Sequence, residues 1–219
     1  MESFKLQRIN QSLASSLVDA RLAHILNTYG EKALITTSFG TTSILLLHIL
    51  ARVKPDFPVH FIDTGFLFSE THAYKDELIR KLGLNIITHK SPYELNQKSR
   101  NNELWKTNPD LCCSYNKITP VDNILGNYEV WVSGLIGYQN RFRTGLDILQ
   151  RKSDLFRFYP LIDWTQAQVN DYFDYFGLPH HPLEIQGFSS VGCTHCTKKG
   201  NGRDGRWSGT DKTECGLHT

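Results

Sequence analysis

The sequence predicts an α/β protein with a mostly parallel sheet, covered by helices on both faces and followed by a cysteine-rich carboxyl-terminal segment. Three observations lead there. Short apolar runs alternate with amphipathic stretches of helical period. The runs end on small-residue turns at Ser38-Phe39-Gly40, Asp63-Thr64-Gly65 and Ser133-Gly134. Beyond Gly177 the composition shifts to Gly, Cys, His, Lys and Arg.

Taken in order, residues 8–28 place Leu13, Leu17, Ala20, Leu22 and Ile25 at roughly helical spacing, and Tyr29-Gly30 ends that helix. Residues 33–37 read as a buried strand, followed by the Ser38–Gly40 turn and an apolar helix to about Val53. The unit repeats, with a strand over 59–62, the Asp63–Gly65 turn, and a helix over 69–82 that Ser69 would cap. Residues 84–88 form the next strand. A polar segment and a helix beginning near Cys112-Cys113 lead to a strand over 130–132. A last helix spans 165–176 and stops at Gly177. In such a sheet the turns after the strands gather at the carboxyl ends, where ligands bind. With no internal repeat and no low-complexity linker, one domain is expected. Residues 1–186 would be its ligand-binding α/β part and 187–219 an appended functional segment.

The 219 residues suffice for one full core, and a net charge of +2 with interleaved signs announces no surface for nucleic acid. Small anions remain suitable partners. The mixed-charge start lacks the apolar stretch of a secretory signal, and the apolar run around Ile44–Leu50 is too short for a membrane span. A cytoplasmic protein is expected, where thiols stay reduced and cysteines serve metals or catalysis.

There are five cysteines: the pair Cys112-Cys113, the pair Cys193-x-x-Cys196, and Cys215 alone. Two pairs and a single suggest two jobs. Four thiols match a tetrahedral zinc or an iron-sulfur cluster. A tandem pair suits separate irons more easily than one ion, though spacing alone leaves both open. The plainer alternative is two small buried residues plus an isolated dithiol. Cys215 lies among Lys212, Glu214 and His218, where a nearby cation would favour a nucleophilic thiolate; it could equally be an incidental exposed thiol. Arg203 and Arg206, with Lys198 and Lys199 before them, offer forks for phosphate or sulfate oxygens, or form an ordinary solvated loop. Ser38–Ser43 could present backbone N–H groups to an anion at a helix start, a weak signal because such turns are common. His180 and His181 read as loop histidines.

Over nearly its full length the chain resembles the adenylyl-sulfate and phosphoadenylyl-sulfate (sulfonucleotide) reductase family of the iron-sulfur type. The resemblance is carried by Ser38-Phe-Gly40, Asp63-Thr-Gly65 with Phe68-x-Glu70-Thr71, Trp105 before Cys112-Cys113, Lys117, and Pro160-Leu-Ile-Asp-Trp164. Gly187-x-x-Ser190-x-Gly192-Cys193-x-x-Cys196-Thr197, Gly205-Arg-Trp207 and Lys212-Thr-Glu-Cys-Gly-Leu-His218 complete it. It implies a Rossmann-like sheet similar to the adenine nucleotide alpha hydrolase or ATP pyrophosphatase fold. Substrate would meet Ser38, Phe39, Gly40, Asp63, Thr64, Gly65 and His218, with Lys117, Arg143, Arg203 and Arg206 holding phosphate and sulfate. Cys112, Cys113, Cys193 and Cys196 would ligate a 4Fe-4S cluster. Cys215 would attack the sulfur of adenylyl sulfate or its 3′-phosphorylated form. A second thiol, from thioredoxin or glutaredoxin, would release sulfite in sulfate assimilation. A homo-oligomer is compatible with the resemblance.

The chain departs from the family pattern at three positions. Asn116 stands where an arginine commonly precedes Lys117, and Ile136-Gly137 stands where two arginines commonly follow Gly134-Leu135. Arg141 is a candidate to compensate. The stretch between Cys196 and Arg203 is also shorter than usual. Two other functions fit parts of the pattern. One is an ATP-pyrophosphatase-type adenylating or sulfur-transfer enzyme, although Ser38–Ser43 lacks the Gly-Gly-x-Asp of its loop. The other is a non-catalytic zinc-binding module, which the missing arginines favour.

Overall fold

The computed structural model describes residues 2–218. Six strands form one sheet: β1 (Ala33–Thr37), β2 (Pro58–Asp63), β3 (Asn85–Lys90), β4 (Val130–Ser133), β5 (Leu149–Lys152) and β6 (Leu155–Phe158). Their spatial order is β3-β2-β1-β4-β6-β5, with every pairing parallel except β5 against β6. The chain winds outward from β1 through β2 to β3, then returns to add β4 on the other side of β1. That reversal opens a crevice at the carboxyl ends of β1 and β4.

The helices are α1 (Glu2–Ala14), α2 (Val18–Tyr29), α3 (Ser43–Val53), α4 (Ser69–Leu82), α5 (Tyr93–Asn101), α6 (Leu104–Thr107), α7 (Pro109–Cys113), α8 (Thr119–Leu125), α9 (Arg141–Thr144) and α10 (Gln166–Phe176). No helix among the described residues is long and apolar enough to cross a membrane. Strand alternation assigns each face its core, because successive side chains point to opposite sides. Ala33 and Ile35 of β1 and Val130 and Val132 of β4 join the larger cluster under α2 and α3. Leu34 and Trp131 turn the other way, onto Val121, Ile124 and Leu125 of α8. Six residues of α3 are buried, so this helix reads as an apolar run rather than a stripe.

The structure corrects the sequence-based expectations in places. The single opening helix is two, broken at Ser15–Leu17, and Leu17 is 81% exposed instead of joining the core. Arg21 holds the break. Its guanidinium donates to the carbonyls of Ala14, Ser16 and Pro160 and pairs with Asp163 at 2.7 Å. Ser69 is the first residue of α4 and not its cap; the cap position is Phe68, which supplies no side-chain bond. At α10 the stop at Gly177 holds, that residue being left-handed after the last turn, while Thr165 is the cap and not the first residue, forming a reciprocal capping box with Gln168.

The β5–β6 hairpin was not anticipated, since Leu-Gln-Arg-Lys followed by Leu-Phe-Arg-Phe carries no glycine turn; Ser153 takes the positive φ, 55°, itself. Residues 187–218 run back over the carboxyl edge of the sheet. There Leu67 bridges to Cys193 and Thr197 to Arg206.

Candidate active site

The Ser38–Thr42 loop between β1 and α3 floors a cavity of about 190 Å³ that opens from the crevice beside β4. Ser38, Gly40, Thr41 and Thr42 line it, and Thr64 lines it from the end of β2. From the carboxyl-terminal segment come Arg203, Arg206, Cys215 and His218, and from the turn after α7 comes Lys117. Arg143 lines it from α9. Most residues expected at the substrate therefore share one cavity.

Phe39, Asp63 and Gly65 do not line it. Phe39 has a φ of 49° and no exposure, its ring turned into the core edge-on to Phe61 at 5.2 Å. Its strained backbone shapes the loop while its side chain serves packing. Asp63 Oδ1 accepts from the Gly65 N–H at 2.9 Å, closing the turn that presents Thr64. Arg141 is exposed and off the cavity, so it does not stand in for the missing arginines.

The departures from the family pattern have local reasons. A Cβ on Gly137 would lie 2.5 Å from the Ile162 carbonyl oxygen, to which the Gly137 N–H donates at 2.9 Å, so no arginine fits there without a backbone shift. Ile136 is fully buried. Asn116 is 2% exposed and its amide nitrogen donates to Ser99 Oγ and the Cys112 carbonyl, each at 2.8 Å.

The cysteine pair ends α7, a short helix started by Asn108, whose side chain accepts from the Leu111 N–H, with Pro109 in the first turn. A π-helical turn, Ser114–Ile118, follows and carries Asn116 and Lys117. Cys112, Cys113, Cys193 and Cys196, all buried, line a second, small pocket with Phe66, Trp105 and His195. Trp105 stacks flat on His195 at 3.9 Å and closes its outer side. Thr64 Oγ1 lies 3.3 Å from Cys193 Sγ, so the end of β2 touches both cavities.

Burial, then the neighbouring thiols, pushes Cys112 up to about 12; burial pushes Cys113 up to about 11 in spite of Lys117. Cys196 is also raised, first by burial. Burial opposes the charge of Lys117, yet the thiols of Cys193, Cys113 and Cys215 hold its ammonium above the usual lysine value. Among the described residues no three His, Cys, Asp or Glu side chains close on the position of a single ion. The shared pocket is the relevant fact for a group with four separate attachment points. Buried thiols that resist ionising unaided, beside a cation that favours their thiolates, fit a thiophilic metal group that displaces their protons on binding.

Two residues central to the larger cavity carried no site expectation. Trp207, 4% exposed, has the guanidinium of Arg206 over its ring at 4.7 Å, Lys117 and Lys212 at 5.7 Å, and Arg203 at 5.8 Å. Its motif with Gly205 and Arg206 was the available signal. Glu214 is the other. It pairs with Arg143 and Arg203, and although burial alone would raise its carboxyl, those partners hold it below the usual carboxylate range. Burial and the nearby Arg143 pull Arg203 down to about 10. Gly192 lets the Arg206 guanidinium come close, since a Cβ there would stand 2.2 Å from its Nη2.

His218 seats the end of the tail. Its ring stacks on Trp131 at 4.6 Å, between Ser133 Oγ and Tyr159 Oη, each at 3.4 Å, and burial followed by Arg157 pulls it down to about 3.

Comparison with known proteins agrees with this geometry. Residues 32–199 match the phosphoadenosine phosphosulfate reductase domain. The chain is 36% identical to the adenosine 5′-phosphosulfate reductase of Salinibacter ruber, over 88% of this chain and 80% of that protein. It is 35% identical to the phosphoadenosine 5′-phosphosulfate reductase of Vibrio parahaemolyticus, over 98% of this chain and 86% of that one. A crystal structure of phosphoadenylyl-sulfate reductase from Candida auris, a phosphate complex, has the same fold, with a TM-score of 0.76, 23% identity, and coverage of 88% and 95%. A Candida glabrata FMN adenylyltransferase shares the sheet more distantly, with a TM-score of 0.59 at 18% identity over 90% of this chain and 66% of that one. With the family's domain covering most of the chain and relatives above 30% identity along it, the protein belongs to the phosphoadenosine phosphosulfate reductase family.

Proposed function

We propose that this sulfonucleotide reductase takes adenylyl sulfate in preference to its 3′-phosphorylated form and forms a covalent S-sulfonate on Cys215. The observation that carries the reading is a division among the five thiols. Four line the small pocket, Cys193 reaching the larger cavity as well, whereas Cys215 lines only the larger cavity, with Lys117, Arg203 and Arg206. Residues 1–186 then serve as the nucleotide-binding part and 187–219 as the segment that brings the nucleophile over it.

The Cys215 thiolate attacks the sulfur of the sulfuryl group, forming the S–S bond as the bond from sulfur to the bridging phosphate oxygen breaks. AMP departs with that oxygen and its electron pair. Lys117, Arg203 and Arg206 stabilise the charge that develops on the leaving phosphate. A second thiol, from thioredoxin or glutaredoxin, attacks the Cys215 sulfur and expels sulfite. A further thiol of the donor resolves the mixed disulfide. Sulfur gains two electrons and the donor dithiol loses two.

Cys112, Cys113, Cys193 and Cys196 would hold a 4Fe-4S cluster, which when bound supplies a fixed charge beside Lys117. What favours adenylyl sulfate as substrate is that, among the described residues, Lys117, Arg143, Arg203 and Arg206 are the Lys and Arg side chains lining the cavity and Arg141 does not join them. Reduction in this manner serves sulfate assimilation.

The test is a single-turnover reaction of the full chain with adenylyl sulfate and no donor thiol, read by mass spectrometry, beside a sulfite assay with both sulfonucleotides and thioredoxin. An added sulfonate on the Cys215 peptide, absent from Cys215→Ser, is expected. Sulfite production by Cys215→Ser, or an adduct on another residue, would overturn the assignment.

A further inference from the structure

The resemblance sets Arg143 among the cations that hold the substrate's phosphate and sulfate, yet its hydrogen-bonding capacity is directed elsewhere. Arg143 Nε donates to Glu214 Oε1 at 2.6 Å and Nη2 to Oε2 at 3.2 Å, so one edge of the guanidinium is closed in a fork. Nη1 donates to Gln139 Oε1. The carboxylate is completed from its other sides: Asn140 Nδ2 donates to Oε1 at 2.8 Å and Arg203 Nη2 to Oε2 at 3.1 Å. The two side chains are 8% and 7% exposed. Asn140 also caps α9 by accepting from the Arg143 N–H, which holds the arginine at a fixed turn.

Arg203 and Arg206 are only partly committed: Arg203 Nη2 donates to the Thr213 carbonyl and to Glu214, and Arg206 Nη1 to the Val191 carbonyl at 3.1 Å. Their Nε groups, by contrast, are buried with no partner among the described residues. Buried donors of this kind are costly unless an acceptor arrives, and both residues line the cavity. Among the described residues, Glu214 is the only carboxylate side chain lining it.

We infer that Arg143 is the receptor for the tail, a positioning residue that grips Glu214 and thereby places Cys215, and that substrate oxygens are left to Arg203 Nε, Arg206 and Lys117. Glu214 immediately precedes Cys215, so the fork fixes the backbone about 3.8 Å from the nucleophile's Cα. The pair joins positions 71 residues apart, from the turn after β4 to the end of the chain. A desolvated, bidentate pair gives the tail a defined seat where a glycine-rich segment alone would sample many. The inference rests on the reading of Cys215 as nucleophile only for its rate measurement.

The experiment compares Arg143→Gln, Glu214→Gln and Arg206→Gln in the full chain. Binding of adenylyl sulfate is measured by calorimetry with Cys215→Ser added to block turnover. Arg206→Gln should weaken binding about tenfold or more, the loss of a charged contact to the ligand, while Arg143→Gln and Glu214→Gln should change it less than about threefold. With Cys215 restored, S-sulfonate formation at saturating substrate should slow about a hundredfold in both of the latter, and no further in the double variant, because the two act as one unit. Alkylation of Cys215 by iodoacetamide in the substrate-free chain should speed up about tenfold in both, an arm that stands even if Cys215 forms no adduct with substrate. Arg143→Gln weakening binding as much as Arg206→Gln would overturn the inference, since Arg143 would then be a substrate ligand. Tighter binding by Glu214→Gln would also overturn it, by showing that the carboxylate competes with substrate. The isosteric Glu214→Gln leaves the test open should Arg143→Gln fail to fold.

Discussion

Asn116 Nδ2 lies 3.7 Å from the sulfur of Cys112 and 2.8 Å from its carbonyl oxygen, so one amide reads both ends of the same cysteine. Its own oxygen accepts from Asn96 Nδ2, which in turn donates to the Thr64 carbonyl. The network therefore runs from the thiol pocket to the end of β2. Replacing Asn116 with Leu keeps the size but removes one hydrogen-bond partner each from Ser99, Asn96 and the Cys112 carbonyl. An expected loss of about 1–3 kcal/mol follows, measurable as a lower urea midpoint with an unchanged slope. An unchanged midpoint would mean that these bonds contribute nothing net.

Visible absorption separates the two classes of thiol. Anaerobically prepared protein is expected to be brown and to contain iron and sulfide. Cys193→Ser should lose most of that colour, and Cys215→Ser should keep it. One zinc per chain in a colourless protein, even after anaerobic reconstitution, would rule out the cluster.

His181 gives stability a pH dependence. Its ring is fully buried, and Nδ1 accepts from the Leu183 N–H, which leaves the proton on Nε2 to donate to Thr71 Oγ1. The Leu183 bond needs the neutral ring, since protonation turns Nδ1 into a donor, and burial pulls its pKa from 6.5 to about 4. Between those values the unfolded chain binds more protons than the folded one, so stability falls as pH drops from 6.5 to about 4 and levels off below. His60, lowered to about 4, adds to the same slope. Thermal melts across this range should therefore show a shallower acid slope for His181→Gln than for the parent chain.

Arg21 offers a stability test far from the chemistry. Its guanidinium satisfies three carbonyls and pairs with Asp163 while 5% exposed. Arg21→Met should cost about 3 kcal/mol, since it leaves those carbonyls and a carboxylate without their donor. Equal chemical stability of the two proteins would place the hinge between α1 and α2 elsewhere.

Sulfite release should be faster from adenylyl sulfate than from its 3′-phosphorylated form. Compared at equal subsaturating concentration, a strong preference for the phosphorylated substrate would reverse the specificity and call for a basic group near the ribose.

The elements legible in the sequence were those whose signal is local. β1, β2 and β4 are buried on both faces and read as continuous apolar runs, and α10 carries both its cap and its terminal glycine. The hairpin of β5 and β6 gave no such signal because its strands pair at the edge of the sheet and three of their eight residues are charged; Arg157 is nonetheless buried, with its guanidinium 5.3 Å from the Trp131 ring. The opening helix broke where a distant carboxylate, Asp163, completes Arg21, a partner no periodicity reveals. At the site, the motifs and the resemblance named the four cysteines that line one small pocket and Arg143, Arg203 and Arg206 of the larger cavity, but not what each contacts there. Phe39 was misjudged because a left-handed backbone turns its ring inward, and Glu214 was passed over because a carboxylate gains its role there only from Arg143 and Arg203.

The neighbour relation between β1 and β4 sets an order of assembly. Ala33 pairs with Val130 across almost a hundred residues of chain, so both walls of the crevice exist only after β4 has been made. Cys112 and Cys113 then precede Cys193 and Cys196 by about 80 residues, several seconds of synthesis at roughly 5–20 residues per second. During that interval the first pair is exposed as free thiols on a nascent chain whose pocket has only one side. The thiol pocket is therefore complete only once residues 193–196 have been made, and oxidants meeting the chain before then have their best access to those two sulfurs.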